Sequence, residues 1–177
     1  MRTSVSTAFL LLTCLQFLSA QTTGRSGTEQ AKFSAEDETV KRPIVLPDDA
    51  LRVIKEDPFV AEALKNEAPS ATQIPKGWLM ASEVHLAGPD EKDIIVVAIG
   101  LLSGANVTTF WVLRPSSRGY ELLLNAPAHD LIIRGTRFKG YRDIELFSAT
   151  AVEVSTVSLR FDGKQYEVHE RIPKPIR

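Results

Sequence analysis

The feature that most constrains the fold is a series of short apolar or alternating segments that follow one another closely after Gly77. Turn-forming residues separate them, and no stretch between them is long and periodic enough to be a crossover helix. Parallel strands need such crossovers, whereas antiparallel strands can be joined by short turns. The pattern predicts an antiparallel meander of about seven or eight strands. The segments are residues 78–86, 93–99, 107–114, 120–124, 130–134, 142–147, 156–161 and 164–169.

The segment "VTTFWVLRPSSRGYELLL" predicts a strand at the centre of the sheet. Its first strand places Phe110 and Val112 on one face and Trp111 and Leu113 on the other. A strand that is apolar on both faces must be covered on both. The equally apolar "DIIVVAIG" is expected to lie beside it.

The segment "TVSLRFDGKQYEVHE" predicts a hairpin near the C-terminus. Asp-Gly at residues 162–163 is typical of a two-residue turn, in which both central residues adopt positive φ. This register places Leu159 opposite Tyr166 and Val157 opposite Val168, all on one buried face.

Two short helices are expected before the strands. Asp48 is the predicted N-cap of the first, and Asp57 is the predicted N-cap of the second, with Pro58 in its first turn. The predicted fold class is therefore α+β and β-rich. The two helices pack on a twisted antiparallel sheet or on a small, partly closed barrel.

Residues 1–20 have the layout of a secretory signal peptide: Arg2, a short apolar run and small residues ending at Ala20. The run is too short and too polar to predict a membrane span, which needs roughly 18 to 20 apolar residues. We expect export to the periplasm or the extracellular space, with no span in the mature chain. Cys14 leaves a lipoprotein as an alternative, although Thr13 is not the small residue that usually precedes a lipidated cysteine.

The remaining boundaries follow from composition. Residues 21–43 have almost no large aliphatic side chains, which predicts a disordered spacer. Residues 44–172 are predicted to form a single globular domain, and residues 173–177 a C-terminal tail. The formal net charge of −1 gives no electrostatic reason to expect nucleic acid as a partner.

Titratable residues provide one candidate catalytic set. His129 and Asp130 are adjacent, but neighbours in a strand point to opposite faces, so we expect Asp130 not to orient His129. His85 and His169 are interpreted as ordinary strand residues, and no spacing is typical of metal ligands; we predict neither a metal nor a cofactor. A hydrolase would use His129, Asp130, Asp143 and Glu145.

The densest polar segment, "RGTRFKGYRD", provides a candidate binding surface. Arginine guanidinium groups suit carboxylates, and sugars stack on tyrosine. The alternative is a strand-connecting loop in which Gly135 and Gly140 serve turns. The candidate binding residues are Arg134, Arg137, Lys139, Tyr141 and Arg142.

The segment "GYRDIELFSATAVEVSTVSLRFDGKQYE" carries a resemblance to a known type of unit, through Gly140, Asp143, Ile144, Phe161, Gly163 and Tyr166. It resembles the strand–turn–strand unit of uncharacterised exported bacterial β-rich domains and, more distantly, a single blade of FG-GAP/VCBS-type repeats. The chain has no second copy, and Arg137 and Lys139 stand where an acidic calcium loop would be needed. The resemblance implies export in a bacterium and a sheet-rich module, without calcium.

Three function hypotheses remain open from the sequence. The first is a non-enzymatic module that binds a protein or glycan of the bacterial envelope or extracellular space. The second is a hydrolase acting on a cell-wall or carbohydrate substrate, and the third is a purely structural domain. An enzyme would gather an acid and a base in one pocket, whereas a binding module would present a flat or grooved surface.

Overall fold

The computed structural model describes residues 29–176, so the predicted signal peptide and Cys14 lie outside the described residues. None of the helices in this range is both long and apolar enough to cross a bilayer. The helices are α1 (Asp48–Lys55), α2 (Pro58–Glu67) and a 3-10 helix (Gly100–Leu102). The strands are β1 (Lys32–Ser34), β2 (Leu79–Val84), β3 (Asp93–Ala98), β4 (Thr108–Ser116), β5 (Gly119–Ala128), β6 (Asp130–Phe138), β7 (Tyr141–Ala149), β8 (Glu153–Phe161) and β9 (Tyr166–Pro175).

The strands form two antiparallel sheets, and the α+β, β-rich fold class is confirmed. The four-stranded sheet has the order β2-β3-β4-β5, and the five-stranded sheet has the order β1-β6-β7-β8-β9. The chain passes from one sheet to the other at His129, the single residue between β5 and β6.

The described elements stack in three layers. One face of the four-stranded sheet, including Phe110 and Val112, packs against the five-stranded sheet. Its other face, including Trp111 and Leu113, packs against the two helices. The prediction that β4 is a central strand with two apolar faces is confirmed, since β4 lies between β3 and β5. No α-helix of the described chain covers the outer face of the five-stranded sheet.

The spacer prediction for residues 21–43 is wrong for the part that the structure describes. β1 pairs with β6, with Phe33 opposite Leu131. Phe33 is fully buried between the sheets, and Val40 is buried in the same cluster. Two large apolar side chains anchor this segment, although its average composition is typical of disorder.

The C-terminal hairpin forms between β8 and β9, but its turn and its register differ from the prediction. Asp162 Oδ1 accepts hydrogen bonds from the N–H groups of Lys164 (2.6 Å) and Gln165 (2.8 Å), which makes a longer turn. Leu159 therefore lies opposite Val168, and the Val168 side chain is 58% exposed on β9, an edge strand of the five-stranded sheet. The predicted tail at 173–177 is also wrong for the residues that the structure describes, since β9 continues through Pro175.

Of the two predicted helix N-caps, one is confirmed and the other is wrong. Asp57 caps α2 as predicted, and its Oδ1 accepts the N–H of Phe59 at 2.8 Å. The same carboxylate accepts the indole N–H of Trp111 at 3.0 Å and a hydrogen bond from Asn125. Asp48 is not a cap: it lies inside α1, whose N-cap is Pro47 without a side-chain hydrogen bond.

Candidate functional site

An open cleft of about 400 Å³ lies where the β2–β3 connection meets the hairpin of β6 and β7. Charged or titratable side chains contribute four of its lining residues, and small residues leave space between them. The cleft is lined by Glu29, His85, Gly88, Pro89, Gly135, Arg137 and Arg142. Of the predicted binding residues, Arg137 and Arg142 are therefore brought together.

The wall of the cleft formed by the β2–β3 connection is held from both sides. Arg137 Nη1 donates to the carbonyls of Leu86 (2.8 Å), Ala87 (2.7 Å) and Gly140 (2.7 Å). The backbone N–H of Arg142 also donates to the Leu86 carbonyl, at 2.9 Å. From inside the protein, Asp93 Oδ2 accepts the Leu86 N–H at 3.1 Å. Arg137 thus positions the wall of the cleft.

Asp93 is a fully buried carboxylate at the start of β3. Burial raises its pKa to about 6, and the charge of Glu91 adds to this effect, while hydrogen bonds from Leu86 and Ala87 and the charge of Arg114 oppose it. Its Oδ1 has no hydrogen-bond partner among the described residues. The wall of the cleft therefore depends on an acid in an unfavourable environment.

The cleft already holds a carboxylate, that of Glu29. Oε1 accepts the backbone N–H of His85 at 2.6 Å, and Oε2 lies 3.2 Å from Arg142 Nη1. His85 Nδ1 is 3.8 Å from Oε1. Arg142 Nε donates to the Arg134 carbonyl at 2.9 Å, which orients its guanidinium group. Donors from two elements thus converge on one carboxylate, and the arrangement is suited to anion binding.

The other three predicted binding residues do not line the cleft. Arg134 forms an ion pair with Glu145 on the outer face of the five-stranded sheet. Lys139 Nζ donates to the Asp162 carbonyl. Tyr141 is buried, stacks on Phe161 with ring centroids 4.0 Å apart, and accepts a hydrogen bond from Arg114 Nη1 at 3.1 Å. The side chains of the basic segment therefore lie in separate environments and do not form one surface. Alternate residues of a strand face opposite sides of the sheet, and the pairing of β6 with β7 is irregular between Ile133 and Arg137.

The expectation that Asp130 does not orient His129 is wrong. His129 Nδ1 lies 3.0 Å from Asp130 Oδ1, because His129 links β5 to β6 and the alternation of a strand does not apply to it. The Asp130 pKa is lowered: burial opposes this, but hydrogen bonds from Lys32, Ser34 and His129 outweigh it. His129 Nε2 lies 3.5 Å from Glu36 Oε1, so carboxylates flank both ring nitrogens.

Asp143 and Glu145 do not converge with His129 on one pocket. Asp143 Oδ2 accepts a hydrogen bond from Thr136 Oγ1 at 2.7 Å and lies 3.7 Å from Arg160 Nε. Same-face residues of a strand are about 7 Å apart, so these carboxylates are spread along the outer face of the sheet. The result is a series of ion pairs: Asp130–Lys32, Glu145–Arg134 and Asp143–Arg160. Within residues 29–176, no group of three or more His, Cys, Asp or Glu residues is placed to hold a metal ion.

Sequence reasoning missed Glu29, His85 and Asp93. Glu29 lay in the predicted spacer, and its role requires a contact with Arg142 across 113 positions of the chain. The interpretation of His85 as an ordinary strand residue did not predict that its backbone N–H donates to Glu29. A pattern of side-chain types gives no information on which backbone group binds a distant residue. Asp93 did carry a signal, because it is an acid at the start of the apolar run "DIIVVA".

Comparisons of the chain with protein-family models, curated proteins and solved structures find no match.

Proposed function

We propose that this protein is a non-enzymatic binding module that holds an anionic group of its partner in the cleft lined by Arg137, Arg142 and His85. The observation that carries the proposal is the carboxylate of Glu29, which accepts hydrogen bonds from His85 N–H and Arg142 Nη1. The signal-peptide pattern of residues 1–20 supports an exported protein, so we propose a partner in the envelope or extracellular space.

The cleft is suited to binding part of a macromolecule. It is open to solvent, and its volume of about 400 Å³ accommodates a few side chains of a partner. Arg142 is held by the Arg134 carbonyl, and its side chain is only 17% exposed. A guanidinium group that is oriented in advance loses less entropy on binding an anion than a freely moving lysine does.

The ion pairs on the outer face favour binding over hydrolysis. A hydrolase that used these carboxyl groups would need a base that can reach a nucleophile or water, and a carboxylic acid whose pKa is raised so that it can donate a proton near neutral pH. The Asp130 pKa is instead lowered, and each candidate carboxylate has its own cation or hydroxyl donor.

An acidic peptide tests the proposal. N-acetyl-tetraglutamate amide, titrated into the isotopically labelled protein, should shift the NMR signals of residues 85–89 and 135–142, and salt should weaken the binding. Arg142→Gln should weaken binding about tenfold, because it removes a charge-assisted hydrogen bond. Arg118→Gln, which removes the same charge from an exposed turn residue, should leave it unchanged. Equal binding of N-acetyl-tetraglutamine amide, or full binding by the Arg142 variant, would contradict the proposal.

A further inference from the structure

Glu29 occupies the place in the cleft that a ligand's anionic group would take. We propose that Glu29 is a displaceable internal ligand, and that the external ligand is a carboxylate on a partner polypeptide. This inference rests on the proposed function, since it requires the cleft to be a binding site. It adds the chemical class of the ligand and the competition that sets its affinity.

The donor geometry favours a carboxylate over a phosphate. Each of the two carboxylate oxygens of Glu29 meets one donor, His85 N–H on one side and Arg142 Nη1 on the other. On the far side of the imidazole, Glu83 Oε1 lies 4.0 Å from His85 Nε2, and Glu83 also pairs with Lys92 at 3.2 Å. A dianionic phosphate would carry additional charge near Glu83, which a single carboxylate does not.

Glu29 can leave the cleft without unfolding the segment that follows it. Gln30 is buried, its Nε2 donates to the Lys32 carbonyl at 2.8 Å, and its Oε1 accepts the Lys41 N–H at 2.6 Å. The Ala31 carbonyl accepts the N–H of Ile133 at 2.7 Å. The chain is thus anchored from Gln30 onward, and rotation about the Glu29 side-chain torsions releases only the contacts of its own carboxylate.

The anchored chain also makes Glu29 an effective competitor. A tethered group acts at a high effective concentration. An external carboxylate of equal intrinsic affinity displaces Glu29 only when its own concentration exceeds that effective concentration. When only a fraction of molecules has a free site, the apparent dissociation constant rises in inverse proportion to that fraction. If Glu29 occupies the cleft in about nine of ten molecules, its removal should tighten binding about tenfold.

The matched variants for this inference are Glu29→Gln and Glu36→Gln. Both remove one acidic charge from the N-terminal segment, but the Glu36 side chain is 75% exposed and contacts His129 rather than the cleft. Three probes are titrated into each variant and the unmodified protein: N-acetyl-tetraglutamate amide, tetra-alanine with a free C-terminal carboxylate, and inorganic phosphate. The first two distinguish a side-chain carboxylate from a chain terminus.

We expect Glu29→Gln to bind at least one peptide about tenfold tighter than the unmodified protein, and Glu36→Gln to match the unmodified protein. In the unmodified protein, saturation with peptide should also shift the NMR signal of the Glu29 carboxyl carbon, which reports its release. If the peptide binds but Glu29→Gln binds it no tighter, Glu29 is not a competitor, and the proposed function stands. Tighter binding of phosphate than of either peptide would overturn the carboxylate assignment. Absence of binding by both variants and the unmodified protein would overturn the proposed function together with this inference.

Discussion

At the scale of single residues, Asp93 illustrates a group that is unfavourable for stability but positions the wall of the candidate binding cleft. Its Oδ1 is buried and has no hydrogen-bond partner within residues 29–176, and its Oδ2 accepts the N–H of Leu86. An unpaired buried acid costs free energy, since water would solvate it better. The same carboxylate fixes the position of Leu86, whose N–H donates to Asp93 and whose carbonyl accepts the backbone N–H of Arg142. This places the neighbouring His85 beside Glu29.

The raised pKa of Asp93 makes stability depend on pH. Because its folded-state pKa is about 6 and its ordinary value is 3.8, the folded protein binds this proton more tightly than the unfolded chain does. This contribution to stability is complete below about pH 3.8 and is lost as the pH rises through about 6. Asp93→Asn should therefore increase the free energy of unfolding at pH 7.5 by about 2 to 3 kcal/mol, and change it little at pH 4. Urea unfolding curves from pH 4 to pH 7.5 measure the difference, and parallel curves for both proteins would contradict the assignment.

At the scale of secondary-structure elements, the carboxylate of Asp57 connects helix α2 to the four-stranded sheet. It caps the helix and also accepts the indole N–H of Trp111 and a hydrogen bond from Asn125, on β4 and β5. One side chain thus satisfies donors from three elements. A buried donor that loses its acceptor costs more than the hydrogen bond itself contributed.

Asp57→Ala should lower the free energy of unfolding by about 2 to 4 kcal/mol, because it removes a helix cap and leaves the indole N–H of Trp111 without an acceptor. Chemical denaturation monitored by tryptophan fluorescence measures the loss. The matched control is Asp48→Ala, at the exposed start of α1 where no capping bond is made; it should change stability by less than about 0.5 kcal/mol. Equal effects of the two changes would contradict the role of Asp57.

The β9 edge of the five-stranded sheet contains two prolines that limit pairing with an added strand. The Ile176 N–H donates to the Val152 carbonyl on the side of β9 that faces β8. Because the direction of the backbone nitrogen alternates along a strand, the nitrogens of Pro173 and Pro175 point away from β8, toward the open side of the sheet. Proline has no N–H, and this part of the edge therefore offers few donors to an added strand.

At the scale of the whole molecule, residues 29–47, the described segment before α1, are part of the folded domain. β1 completes one edge of the five-stranded sheet, Phe33 fills the core between the sheets, and Glu29 reaches the cleft. The core and the candidate site therefore share one short segment.

Phe33→Ala should lower the free energy of unfolding by about 3 to 5 kcal/mol, since it leaves a cavity between the sheets. Phe59→Ala provides the control, because Phe59 is 47% exposed and its loss should cost less than about 1.5 kcal/mol. Thermal and urea unfolding of both variants give the comparison. Comparable losses would contradict the inclusion of β1 in the core.

Residue patterns predicted much of the fold and little of the site. The two-faced strand β4 and the Asp57 cap were predictable because both signals are local. The turn after Phe161 was not, because Asp162 makes two side-chain hydrogen bonds that displace the register from the simplest Asp-Gly hairpin. Of the five predicted binding residues, Arg137 and Arg142 line the cleft, since the sequence shows that a segment is basic but not which contacts its side chains make.

By itself, the sequence determined the fold class, the order of the elements after residue 44 and the apolar faces that must be buried, because all of these follow from periodicity between near neighbours. Only the tertiary structure decided that the strands divide between two sheets, that Phe33 belongs to the core, and that Glu29, His85 and Arg142 meet. Those contacts join residues far apart in the chain, and the burial of Phe33 offsets part of the entropy cost of ordering its segment, which the average composition of that segment does not report.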